Sequence, residues 1–545
     1  MKKIAVLIIR KRKLFFLLFA VALIAAAVCI PFTNINYDDT FYLPDSSGTK
    51  AGLDVMKDEF GSGGSAYAML KGKSIEEILS VKSEIIKTAG VSNVLWLDDI
   101  LLPLTESSES NLKDTKKVEY ILRALNVLPK SESATAYDAL TALQSEFDDN
   151  EFIAVMSIIN GITGGSLNIS DPSTMTEPLG NEYAIMINTF TAQIESFFKN
   201  GNALFTISFT ESDYSSSTYK ALKSIASVSD DLYLSGNSAS AYYMQQNQLS
   251  EIISATLMAA GIALAVLFLL SSSWFDPIVY IIAILAAIVL NMGSNIIFEN
   301  VSYMTSSVAC VLQLALSMDY AVFLLNRYKK ERQSGKNAKD AMAEALTRSF
   351  SPISASSLTT IVCFVTIMFM KYKLGLDMGL VMAKAIIMSL VTVFLLLPGI
   401  IVAFDKRILS SEHKTFSFSA KRLSRFIYKF RWGIAVLAVL IIIPCAFFAN
   451  RNAFVYGSKS SQSPESEGII NREIIEKTFG SQETLALIVP KDDEKELMLS
   501  YMLLQNKGVS GVTSWALIES GAFGAYFPDS MKNTLIGSNN YNRIM

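Results

Sequence analysis

Histidine is almost missing from this 545-residue chain: His413 is the only one. Catalysis that depends on histidine, and metal sites built from it, are therefore nearly excluded. The four cysteines, Cys29, Cys310, Cys363 and Cys445, all fall inside long apolar runs. They read as small hydrophobes and cannot staple a soluble domain. A phosphate loop is also lacking, because Gly61-Ser62-Gly63-Gly64 and Gly161 to Gly165 have no Lys-Ser/Thr ending, so energy must come from something other than ATP. Charge is sparse too: 18% of residues are charged and 51% are apolar. The paired acids Asp38-Asp39, Asp98-Asp99 and Asp148-Asp149 read as solvated surface. No cofactor, metal or nucleic-acid partner is expected.

What fills the chain instead is hydrocarbon. Mean hydropathy is +0.35, and seven runs approach or exceed the roughly 20 residues that cross a bilayer. They are Leu14 to Ile30, Ile252 to Leu270, Pro277 to Ile297, Met304 to Leu325, Ile353 to Met370, Leu376 to Ala403 and Trp432 to Phe448. The first resembles a signal peptide with Ala25-Ala26-Ala27 as its cleavage site. Those alanines lie inside the apolar run, so the segment reads as an uncleaved anchor.

Lys and Arg collect in three places: six in the N-terminal tail, seven from Asn326 to Phe350 and eight from Phe404 to Arg431. With alternating spans all three share one side, which is the cytoplasm. The N-terminus, Lys336 and His413 are then cytoplasmic, and Ser107 and Lys491 lie outside. Asp38 to Ser250 forms an acidic exterior region with 29 acidic and 14 basic residues. The expected localisation is multi-pass in the plasma (cytoplasmic) membrane.

One carboxylate is out of place. Asp319, with Tyr320 beside it, sits in Met304 to Leu325, a run otherwise free of charge. Insertion of an Asp at a helix centre costs roughly 2.5–3.5 kcal/mol, so such groups usually serve ion or proton pathways. Asp319 precedes Arg327 by roughly 12 Å of helix at about 1.5 Å per residue. Desolvation at that depth favours the neutral acid, which suits a group that takes up and releases a proton. Lys384, inside the sixth run, is a second buried charge and a possible counter-charge for Asp319, although snorkelling toward the outer interface is the favoured reading.

The chain repeats itself. Phe60-Gly61-Ser62, an amphipathic helix and Gly90-Val91-Ser92 recur as Phe479-Gly480-Ser481, a helix and Gly508-Val509-Ser510. The same shift carries Lys13-Leu14 onto Arg431-Trp432 and Tyr37 onto Tyr456. Six spans per unit return the chain to the same side, so the repeat is parallel. The second unit is cut short at Met545, which suggests a fragment of a longer protein, with a natural half-length form as the alternative. In the exterior region, β-like runs Ala66 to Leu70 and Val91 to Leu97 flank a helix Ile75 to Thr88. Ala203 to Phe209 and Leu232 to Leu234 flank Ser215 to Val228. Two such βαβ units suggest ferredoxin-like subdomains, with Ile121 to Phe197 largely helical between them apart from a loop at Gly161 to Pro172.

These residues carry a resemblance. Ala315-Leu316-Ser317-Met318-Asp319-Tyr320-Ala321-Val322-Phe323-Leu324-Leu325-Asn326-Arg327-Tyr328 resembles the fourth-helix signature of the MMPL family, in the resistance-nodulation-division (RND) superfamily of transporters. Ser356-Ser357-Leu358-Thr359-Thr360, Gly379 and Leu397-Pro398-Gly399 fall where that family has a Thr-bearing fifth helix, an early Gly in the sixth and a Leu-Pro near its end. Ala315 and Ser317 stand where glycines are usual, and both are small enough for close helix packing.

The resemblance implies a polytopic α-helical membrane protein with extracytoplasmic α+β porter domains. The expected parts are 1–31 (tail and first span), 32–250 (first porter domain), 251–403 (second to sixth spans), 404–431 (basic connector), 432–448 (seventh span) and 449–545 (partial second porter domain). It also implies proton-motive-force-driven transport, export above all, of lipids or hydrophobic molecules, with Asp319 and Tyr320 as the proton relay and no enzymatic activity. The alternative is a lipid-binding receptor or assembly scaffold that does not transport. The partners implied are a lipid or hydrophobic small molecule, protons and the membrane, with a homo-oligomer possible.

Overall fold

A computed structural model of the chain describes residues 2–103, 113–162, 175–176, 178–413, 420–449, 451, 466–480, 485–509, 511–520 and 529–545. Ser107, Tyr456, Ser481, Ser510 and most of Gly161 to Pro172 lie outside them. The chain is mostly helical and divides into two units, one of residues 1–47 and 245–455, the other of 48–244 and 456–545.

Among the described residues, the first unit holds seven helices long and apolar enough to cross a membrane: Arg12–Phe32, Ser250–Leu269, Asp276–Ile297, Tyr303–Gln333, Ala338–Ile367, Leu374–Ala403 and Arg431–Ala449. Each sits on one of the seven expected runs. The fourth runs past the apolar stretch to Gln333 and the fifth begins well before it at Ala338, because charged segments with helical propensity extend the apolar cores without a break. In the sixth, Pro398 has no N–H to offer the carbonyl four residues back, and a π-helical turn over Thr392–Leu396 precedes it. Gly379 allows close approach to the fifth span, since a Cβ there would meet the Phe364 carbonyl at 2.7 Å.

Third, fourth and sixth spans supply most of the core, including Tyr280, Leu314, Leu324, Ile386 and Leu397. At one end of the bundle the connections after the second, fourth and sixth spans meet. Lys329 pairs with Asp276 at 2.5 Å, Arg332 pairs with Asp405 at 2.9 Å, and Tyr328 also donates to Asp405. Ahead of the first span, helix Lys2–Arg10 tucks Ala5 and Ile9 into the same core. At the other end Ile35–Asn36 pairs in parallel with Val301–Ser302. Lys373 N donates there to the Tyr42 carbonyl at 2.9 Å. Loops expected on one side therefore do gather at one end. The seventh span has no buried residue.

In the second unit the two strand-helix-strand segments interleave in one sheet and do not form separate subdomains. Its strand order is Val91–Leu95, Asn202–Phe209, Ser65–Leu70, Leu232–Ser235, every pair antiparallel. That is the order of a split βαβ arrangement. Alternation decides the faces. Ala66, Ala68 and Leu70 point into a core shared with Ile78, Ile85, Trp96 and the helices Asp114–Val127, Ala136–Glu146 and Asp149–Ile162. Met69 and Leu204 on the opposite face pack on Ile475 of helix Glu467–Phe479.

Helices of equal length stand at two of the positions where the sequence repeats. Helices Gly48–Phe60 and Glu467–Phe479 are both 13 residues long, and each ends at a glycine with positive φ, Gly61 at 81° and Gly480 at 86°. Ile75–Ile86 and Asp493–Leu504 are both 12 residues long. Glu59 accepts the backbone N–H groups of Asn539 at 2.6 Å and Asn540 at 3.0 Å.

Candidate functional site

Asp319 and Tyr320 stand on different faces of the fourth span. Tyr320 is 5% exposed and packs in the bundle, with Thr360 of the fifth span as a side-chain partner. Asp319 lies on the exposed stripe made by Val308, Ala315, Asp319, Phe323 and Asn326, spaced to recur on one side of a helix. Among the described residues it has no hydrogen-bond or salt-bridge partner. Thr359 and Thr360 add hydroxyls nearby on the fifth span, and both donate back to their own helix, at 3.0 and 3.2 Å.

The structure does not bring Lys384 to Asp319. Its ammonium donates to the Asn291 carbonyl at 2.8 Å, Ser294 Oγ at 2.9 Å and Asn295 Oδ1 at 2.5 Å. The Phe298 ring lies 5.0 Å away. One is a main-chain carbonyl in the last α-helical turn of the third span and two are side-chain oxygens in the 3-10 turn that follows, at a helix end that attracts a cation.

Sequence reasoning missed two polar groups in this bundle, Asp377 and Gln313, and the hydrogen bond of a third, Ser317. Asp377, just inside the sixth span, accepts from Ser302 N at 3.0 Å and Thr305 Oγ1 at 2.5 Å, and so ties the starts of the fourth and sixth spans together. Gln313 donates through Nε2 to the Ala385 carbonyl and to Ser389 Oγ, both at 3.1 Å. Ser317, two residues before Asp319, donates to Ser389 Oγ at 2.6 Å, so this small residue sits at a helix contact while Ala315 does not. The signal was an amide or acid inside an otherwise apolar run. An apolar cleft of about 560 Å³ between the first, third and sixth spans, lined by Phe16, Phe19, Leu285 and Ile400 among others, contains none of these groups.

At the mouth of the bundle, burial pushes the Asp39 carboxyl above the usual range, with Asp38 adding to the push and a hydrogen bond from Tyr303 opposing it. Chemically, the arrangement offers one uncompensated carboxyl at mid-span, one compensated ammonium, and hydroxyls between. It offers no nucleophile-base pair, and no His/Cys/Asp/Glu cluster fit for a metal occurs among the described residues.

The fourth-span signature sits on this architecture, and a family model, that of the MMPL family, matches residues 129–439, more than half of the chain. The chain belongs to the MMPL family. Its relatives are named as membrane and transport proteins. The mycolic acid-containing lipids exporter MmpL11 of Mycolicibacterium smegmatis is 23% identical over 160 residues, 27% of this chain and 17% of that protein. The membrane protein YdfJ of Bacillus subtilis is 23% identical over 253 residues, 44% of this chain and 34% of YdfJ. A membrane protein of Streptomyces coelicolor, ActII-3, is 26% identical over 198 residues, 34% of this chain and 28% of ActII-3. The matched part of this MMPL chain thus spans about a third or less of each relative's length.

Proposed function

We propose that this chain forms part of a proton-driven exporter of lipids or other hydrophobic or amphiphilic molecules. Asp319 cycles between the neutral acid and the carboxylate, and Tyr320, next to it in the chain and hydrogen-bonded to Thr360 inside the bundle, is the second member of the relay. The N-terminus lies in the cytoplasm, and the second unit acts as an extracytoplasmic porter domain. Membership of the MMPL family and the lipid exporter among its relatives support the substrate class.

One observation carries the mechanism. Of the two charges set deep in the spans, Lys384 is compensated by three oxygens and Asp319 by none among the described residues. A structural carboxylate would be paired like the others in this bundle. One that must change protonation state during a cycle needs a partner it can leave.

The test is export of a fluorescent lipid by the complete protein in energised membrane vesicles, before and after a protonophore. Loss of export with the gradient supports the reading. Export that ignores the gradient removes the proton cycle, and lipid binding without export favours the receptor or scaffold.

A further inference from the structure

Two amides buried between the third, fourth and sixth spans are left incompletely bonded. Asn291 is 0% exposed, and neither Oδ1 nor Nδ2 has a partner among the described residues. Gln313 is 1% exposed, and its Oε1 likewise has none. Both residues contact one turn of the sixth span: the Asn291 main-chain carbonyl accepts from Lys384 Nζ, and the Gln313 side-chain amide donates to the Ala385 carbonyl. Met292 and Cys310, whose sulfurs lie 3.1 Å apart, bring the third and fourth spans together at this level. Asn291 and Gln313 are one and three residues from that contact, so each is within about one helical turn of it.

From Gln313 the polar contacts continue through Ser389 to Ser317. Ser317 is one turn from Tyr320 on the same face of the fourth span.

Buried amides in native proteins are almost always satisfied, by protein or by bound water. Three unpartnered atoms on two such groups therefore ask for a small polar ligand. The carbonyl and hydroxyl oxygens would suit a bare cation, but the Lys384 ammonium already occupies the end of the seam and repels a second positive charge. Water fits, since it can donate to Asn291 Oδ1 and Gln313 Oε1 and accept from Asn291 Nδ2.

We propose that Asn291, Gln313, Ser389 and Ser317 form a hydrated seam that conducts protons between the Lys384 end of the bundle and the turn bearing Tyr320 and Asp319. This rests on the proton-coupled reading and supplies its path. Each water or hydroxyl accepts one proton on one side as it releases one on the other. No seam group is left charged, and the net result is one proton moved toward or away from Tyr320, on the bundle side of the turn whose outer side bears Asp319. The two amides hold the waters in line and do not themselves ionise.

Two measurements on the complete protein test the seam. In a background with Cys29, Cys310, Cys363 and Cys445 replaced, Asn291→Cys and Gln313→Cys should react with silver ion at least about tenfold faster than Leu314→Cys, which faces apolar core. Equal rates would mean a dry seam and overturn the proposal whatever drives transport. In proteoliposomes loaded with a pH-sensitive dye, Gln313→Leu and Ser389→Ala should slow proton entry by about tenfold or more without lowering the melting temperature. If Asp319→Asn stops proton entry while Gln313→Leu leaves it unchanged, protons are coupled but take another route, and the seam is wrong. If Asp319→Asn leaves proton entry unchanged, the proton-coupled reading falls and the seam's role falls with it.

Discussion

Lys384 and Asp319 are both charges embedded in apolar helices, and the protein treats them in opposite ways. Lys384 caps the end of the third span with three hydrogen bonds and stands over an aromatic ring. Asp319 faces outward from its bundle on a stripe of otherwise mostly apolar residues. The difference separates a charge that holds the bundle together from one kept available to something else. A carboxylate cannot stay in contact with hydrocarbon without a large penalty, so further protein, water or a proton must answer it.

The comparison is sharpened first by a charge that is plainly structural. Lys329→Met would strand Asp276, which is 1% exposed. Breaking a buried pair from one side costs about 3–5 kcal/mol, and a large fall in melting temperature in detergent should follow. Lys384→Met should come next, with a loss of about 1.5–3 kcal/mol for hydrogen bonds made by a charged group. Asp319→Leu should lose nothing, or gain stability. Equal losses for Lys384→Met and Asp319→Leu in the same melting experiment would erase the distinction.

Tyr320→Phe should be milder, since it removes one hydrogen-bonding group worth about 0.5–1.5 kcal/mol. Measured as transport rate that is tenfold or less. A complete loss of transport would make the phenol itself essential.

The smallest effect should come from acid. The Asn540 and Asn539 N–H groups hold the Glu59 carboxyl below its usual 4.5. Its contribution is therefore complete above that value and fades as pH falls through the lowered one. Asp39, pushed up by burial from its usual 3.8, has the opposite sign and favours the structure only below its raised value. Melting curves from pH 3 to 6 should show Glu59→Gln flattening the acid limb of the second unit. An unchanged limb would remove this contact from the account.

The spans were legible in the sequence because seven long and almost wholly apolar runs leave few alternatives, and the structure departs from them only where charged helix extends beyond the hydrocarbon. The helices Gly48–Phe60 and Glu467–Phe479 were legible as a pair because a Phe-Gly step ends each of them. The sharing of one sheet by both strand-helix-strand segments was not, since pairing Ser65–Leu70 with Asn202–Phe209 joins residues far apart in the chain, and no local pattern encodes that. At the site, Asp319 and Tyr320 stood out by their cost in an apolar run. The partners of Lys384 did not, because one main-chain carbonyl and two side-chain oxygens converge on it only through the way the end of the third span faces the sixth. Asn291 and Gln313 were visible as amides among apolar neighbours, but their unmet hydrogen bonds are a property of packing alone.

Asp319→Asn tests the central claim most directly. It keeps the size and much of the hydrogen bonding of the neutral acid while removing titration. In the complete protein, reconstituted and assayed for lipid transport with and without an imposed proton gradient, the variant should fold, insert and bind lipid at wild-type levels. Gradient-driven transport should fall by about a hundredfold or more. Transport by Asp319→Asn that still rises with the gradient as in the wild type would contradict the account.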